Sequence, residues 1–111
     1  GSGLSFANLV SPRLLTALLL HMQRHPQAEA FGASLPVAGV DGTLKNRLKG
    51  TRAEGRLRAK TGAISHVAAL AGYATLRSGE PVVFAVMANH QSAEYKDSVA
   101  ALDAFVRALT E

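Results

Sequence analysis

Arg56-Leu57-Arg58-Ala59-Lys60-Thr61, followed shortly by Val67-Ala68-Ala69-Leu70-Ala71-Gly72-Tyr73-Ala74-Thr75-Leu76, decides the fold of this chain. The first stretch alternates. Arg56, Arg58 and Lys60 fall on one side and Leu57, Ala59 and Thr61 on the other, the period of a half-buried strand. Residues 67–76 are apolar on both faces, which predicts a central strand covered on both sides. Arg77-Ser78-Gly79-Glu80 is a hairpin turn, and Pro81 tolerates only the first position of the third strand, 81–88.

Working outward, Ser11-Pro12 starts a helix, with Ser as N-cap and Pro where its missing N–H costs nothing. Leu15, Leu18, Leu19 and Met22 give it one apolar face, and Pro26 ends it near His25. Residues 27–31 add a short helical turn that Gly32 breaks. From Gly32 to Gly55, glycines and Pro36 punctuate a long loop, with one short amphipathic helix expected over 44–48. A loop of this length inside a compact domain points to a functional role. At the other end, Asn89-His90-Gln91-Ser92 interrupts the third strand and Ser92 caps a final helix. Val99, Leu102, Phe105, Val106 and Leu109 form its apolar stripe. The expected class is α+β: a three-stranded antiparallel meander flanked by N- and C-terminal helices.

The chain has 111 residues, 48% of them hydrophobic and 18% charged, the balance of a globular domain rather than a disordered segment. It has no cysteine, which excludes disulfide frameworks and thiolate chemistry. No apolar run is long enough to span a bilayer. The net charge of +4 is concentrated where Lys45, Arg47, Lys49, Arg52, Arg56, Arg58 and Lys60 face only Glu54. That cluster reads equally as a solvated face or as an anion-attracting surface. No aromatic interleaves it, so the stacking signature of single-strand nucleic-acid binders is missing and no nucleic-acid partner is expected.

Lys60-Thr61-Gly62 is a K-T-G triad, a motif of penicillin-binding proteins and serine β-lactamases. Upstream stands Leu35-Pro36-Val37-Ala38-Gly39-Val40-Asp41-Gly42-Thr43-Leu44. Downstream is Leu70-Ala71-Gly72-Tyr73, and the chain opens with Gly1-Ser2-Gly3-Leu4-Ser5. Taken together, these stretches resemble the C-terminal part of the D-alanyl-D-alanine carboxypeptidases of the penicillin-binding protein 4 type, the S13 serine peptidases. The resemblance implies part of a penicillin-binding-protein/β-lactamase-like transpeptidase fold, with residues 1–111 as a single partial domain. It also implies that the K-T-G strand walls a cleft in which a peptide lies as an added strand. Lys60 would attract the terminal carboxylate, Thr61 would hydrogen-bond it, and Gly62 would let the substrate backbone approach. The backbone N–H of Ala63 would supply half of an oxyanion hole; many relatives carry Thr at this position. The implied partners of the intact enzyme are peptidoglycan stem peptides and β-lactams in the periplasm, with no cofactor and no membrane span.

None of the eight serines opens an S-x-x-K or S-x-N motif. The chain therefore holds one of the three motifs such an enzyme needs, and is expected to be inactive without a separate N-terminal segment. The family's sheet has five strands. The chain is thus expected to expose a sheet edge and one apolar sheet face, through which it would self-associate; a non-catalytic, peptide-binding or self-associating module is the alternative. His21 and His25 stand at the i, i+4 spacing that can share a metal, but without the Glu of H-E-x-x-H. They read as exposed helix-end residues, and no metal is expected. His66 borders the triad and His90 lies in a loop.

Overall fold

The computed structural model describes residues 3–89 and 94–111. Its elements run α1 (Pro12–Gln23), α2 (Ala28–Ala33), a 3-10 turn at Gly42–Leu44, β1 (Arg58–Ile64), β2 (Val67–Thr75), β3 (Pro81–Ala88) and α3 (Tyr95–Thr110). The strands form an antiparallel meander in the order β1-β2-β3. This is the α+β arrangement expected from the sequence.

Registry sorts the side chains. Ala59 pairs with Gly72, Thr61 with Leu70 and Ala63 with Ala68, while Gly72 pairs with Phe84 and Leu70 with Val86. These residues share one face of the sheet because directly opposed residues point the same way. On that face Ala59, Ala68, Leu70, Ala74 and Phe84 pack with Leu102 and Val106 of α3. The loop before β1 adds Ala38, Leu44, Leu48 and Ala53, all buried in the same cluster. The opposite face carries Arg58, Lys60, Tyr73 and Val83, and α1 lies across its β2 and β3 part. The central strand is therefore covered on both sides, as its doubly apolar sequence requires.

Gly72 holds the sheet to its register. A Cβ there would collide with the backbone carbonyl of Arg58 and come within 2.6 Å of the Ala59 Cα. Only glycine lets β1 and β2 approach this closely. Next to it, Tyr73 fastens α1: its hydroxyl donates to the Leu19 carbonyl at 2.8 Å, and its ring meets Phe31 edge-on at 6.5 Å.

Several expectations are corrected. Neither sheet face is bare, because α1 and α3 occupy opposite sides; large apolar groups are exposed instead on and before α1, at Leu14, Leu18 and Leu20 and at Leu4, Phe6, Leu9 and Val10, and elsewhere at Val40, Tyr95 and Phe105. Leu18 lies about 100° around the helix from Leu19 and so points off the sheet while Leu19 is buried. On α3 the same geometry turns Phe105 outward, and Ser98 and Thr110 complete the buried stripe with Leu102 and Val106. The Thr110 hydroxyl is satisfied by the Val106 carbonyl at 3.0 Å. Gly32 does not break α2, which runs through it to a C-cap at Ser34; one glycine costs a helix only about 1 kcal/mol. The helix expected over 44–48 is not formed. Leu44 ends a 3-10 turn, Leu48 takes a left-handed φ of 61°, and both reach the core from turns. β1 starts at Arg58 rather than 56, since the Arg56 and Leu57 N–H groups both close turns onto the Ala53 carbonyl. The expected cap Ser92, and His90, lie outside the described residues. So do Gly1 and Ser2 of the opening motif.

Candidate active-site wall

Two short segments build the outer edge of β1. Residues 36–38 run antiparallel to residues 57–59: the Ala59 N–H donates to the Pro36 carbonyl and the Ala38 N–H to the Leu57 carbonyl, both at 3.0 Å. The ladder cannot continue towards Ile64. Pro36 has no N–H to offer, and Ser34 is already the C-cap of α2. Because backbone groups alternate sides along a strand, Thr61 and Ala63 point their N–H and C=O groups the same way as Ala59, away from β2. These groups lie on the part of the edge that residues 36–38 leave uncovered.

The side chains around them are placed by the same alternation. Lys60 rises on the α1 face and is exposed, and its ammonium bends over the edge to donate to the Thr61 carbonyl at 2.7 Å. Thr61 is half-buried on the α3 face, its Oγ1 3.0 Å from Thr43 Oγ1. Ala63 is exposed. Gly62 has room for little, since an added Cβ would stand 3.3 Å from the Ala69 methyl. A cation, a hydroxyl pair and two outward backbone N–H groups thus surround one stretch of strand edge. All are hydrogen-bond donors, an arrangement complementary to a carboxylate and to the carbonyl of an extended peptide.

Thr43 was not singled out as a site residue by sequence reasoning, although it closes the quoted D-G-T. Its position is made by the loop around it. Asp41 Oδ1 accepts the Val37 N–H at 2.7 Å, and the Gly39 N–H bonds to the Leu44 carbonyl at 3.0 Å. Gly42 has a φ of 51°, and a Cβ on it would press within 3.0 Å of Pro36 Cγ, so the turn that presents Thr43 needs glycine.

Other candidates separate from this edge. Arg47 forms a bidentate ion pair with Asp103 of α3, its Nη2 2.6 Å from Oδ1. It ties the loop to the helix. Glu54 accepts the Gly50 N–H at 2.8 Å, and Arg58 reaches the Gly32 carbonyl at 3.4 Å. The basic cluster is therefore divided between loop closure and solvent. His21 and His25 stand 5.9 Å apart, but His25 Nδ1 accepts the Gln27 N–H at 3.1 Å. That bond occupies the Nδ1 lone pair of His25. Among the described residues no group of three or more His, Asp or Glu side chains is placed to hold a metal. None of the described helices is long and apolar enough to cross a membrane. His66 sits exposed at the β1–β2 turn with a left-handed φ of 59°.

The D-Ala-D-Ala carboxypeptidase 3 (S13) family profile matches residues 1–109. The D-alanyl-D-alanine carboxypeptidase of Actinomadura sp. strain R39 is 46% identical over 97 residues, covering 83% of this chain and 18% of the relative. DacB of Haemophilus influenzae is 36% identical over 94 residues, covering 83% of this chain and 20% of the relative. The crystal structure of penicillin-binding protein 4 (dacB) from H. influenzae, complexed with a novel β-lactam, superposes with a TM-score of 0.80 at 32% identity, covering 98% of this chain and 26% of that one. The chain thus spans about a fifth of the length of these curated relatives. Fold, motif context and similarity agree: the chain belongs to the D-Ala-D-Ala carboxypeptidase (S13) family.

Proposed function

We propose that the outer edge of β1 is the substrate-binding wall of a serine-type D-Ala-D-Ala carboxypeptidase/endopeptidase, acting in the periplasm on peptidoglycan stem peptides and acylated by β-lactams. The observation that carries the reading is the convergence of the Lys60 ammonium, the Thr61 hydroxyl and the Thr61 and Ala63 N–H groups on an edge with no strand beside it among the described residues. An extended peptide adds to such an edge through its own backbone. Its terminal carboxylate lies by Lys60 and Thr61. The scissile carbonyl oxygen faces the Ala63 N–H, which stabilises the negative charge that develops there when a serine attacks. The amide bond to the terminal D-Ala breaks, the amine leaves with a proton, and water later hydrolyses the acyl-serine.

Residues 1–111 act as a partial domain in this scheme. The S-x-x-K and S-x-N groups come from a separate N-terminal segment of the protein, and the isolated chain does not turn over. The test is acylation of the full-length protein by a labelled penicillin. Lys60→Ala is expected to slow acylation about 100-fold, the loss typical of one electrostatic contact to the reacting group. An unchanged rate overturns the role given to Lys60.

A second reading, self-association, is favoured by the outer edge of β3, which no strand among the described residues pairs, and the exposed Leu14, Leu18 and Leu20. Light scattering of the 111-residue chain at high micromolar concentration tests it; a monomer there excludes it.

A further inference from the structure

We infer that Thr43 is a positioning residue for the Thr61 hydroxyl, supplying the proton that lets Thr61 give its own to the substrate carboxylate. The inference rests on the proposed role of Thr61 and extends it. A threonine hydroxyl has one O–H to donate and two lone pairs to accept with. In the free chain the two Oγ1 atoms are 3.0 Å apart, and either hydroxyl can donate to the other. Once a carboxylate arrives, the single Thr61 proton is needed there. The pair then keeps its hydrogen bond only with Thr43 as the donor, its O–H turned into the Thr61 oxygen. A hydroxyl does this by turning about one bond.

That arrangement has two consequences. Thr61 becomes the middle of a chain of hydrogen bonds running from Thr43 through Thr61 to the carboxylate, and each bond polarises the next. Its χ1 is also held, because Thr43 comes from a turn that is itself fixed by Asp41, Gly42 and Pro36. Thr43 is exposed and its side chain is in none of the buried packing, so its hydroxyl is not needed to fill the core.

The experiment compares Thr43→Val, Thr43→Ser, Thr61→Val and the double variant Thr43→Val/Thr61→Val in the full-length protein. It measures kcat and KM on a peptide ending in D-Ala-D-Ala, with a thermal melt for each variant. Thr43→Val is expected to lower kcat/KM about 10-fold, the effect of one polarised hydrogen bond. Thr43→Ser, which keeps the O–H, is expected within about 2-fold of the parent. In the Thr61→Val background, Thr43→Val should cause no further loss, because Thr43 acts through Thr61. A Thr43→Val enzyme that matches the parent while Thr61→Val is impaired overturns the inference and leaves the function reading standing. Equal losses in Thr43→Val and Thr43→Ser, or additive losses in the double variant, also overturn it. If Thr61→Val itself retains full activity, the role of Thr61 falls first and Thr43 with it.

Discussion

The two halves of β1 share a strand but not a fate. At Arg58 and Ala59 both edges are occupied: β2 on one side, residues 36–38 on the other. At Thr61 and Ala63 the β2 side is paired in the same way, while on the outer side no strand among the described residues continues the ladder. The change takes two residues. Its cause is local: a proline without an N–H at position 36 and a helix cap at Ser34. A sheet edge left open is normally an aggregation hazard. Here the open length is short, follows directly on a fully closed stretch, and is ringed by donors. The closed half holds the register, which leaves the open half free for the binding role proposed for it.

The comparison predicts that substitutions in the closed half cost stability and those in the open half cost function. The largest expected effect is Gly72→Ala, which drives a Cβ into the Arg58 carbonyl and should destabilise the chain by at least about 3 kcal/mol in urea unfolding. A loss below about 1 kcal/mol means that β1 and β2 can separate there, and the rigid-half account fails. Leu57→Ala, at the fully buried start of the closed half, should cost about 3 kcal/mol through cavity formation. By contrast Lys60→Ala should leave the unfolding free energy of the isolated chain nearly unchanged, within about 0.5 kcal/mol, because an exposed side chain away from caps and ion pairs contributes little.

Smaller effects sharpen the picture. Tyr73→Phe removes the bond to the Leu19 carbonyl and should cost about 1 kcal/mol at neutral pH. Burial raises the Tyr73 phenol above its ordinary value of 10.0, since it penalises the phenolate. The unfolded chain then releases the proton first. Stability from this group is complete below about pH 10 and is lost as pH rises from there through the higher folded value. The alkaline limb of a pH–stability profile should therefore be shallower in Tyr73→Phe than in the parent; identical limbs would show that Tyr73 is not shielded under α1.

Much of this was legible beforehand, for physical reasons that also mark where reading stops. β3 and the Ser11-Pro12 helix start follow from proline and capping chemistry, which act within a few residues. The two apolar faces of β2 announced a central strand. What could not be read was where an apolar stripe is centred: Leu18 and Phe105 look like core residues until the sheet beneath each helix is known. Over 44–48 the Leu44–Leu48 spacing suggested a helix, yet those leucines enter the core from turns, held in place by the distant Arg47–Asp103 pair. The K-T-G residues were recognisable from their flanks. Thr43 was not, because its meeting with Thr61 depends on a loop closure across 18 positions.

The most direct measurement is backbone amide exchange on the chain, residue by residue. Ala59, bonded to Pro36, and Lys60 and Gly62, whose N–H groups face β2, should be protected together, while Thr61 and Ala63 exchange at least about 100-fold faster, at rates set by exposure rather than by opening of the sheet. Protection of Thr61 and Ala63 equal to that of Ala59 would mean that the edge is already occupied, and the account of β1 as a wall waiting for a peptide would be wrong.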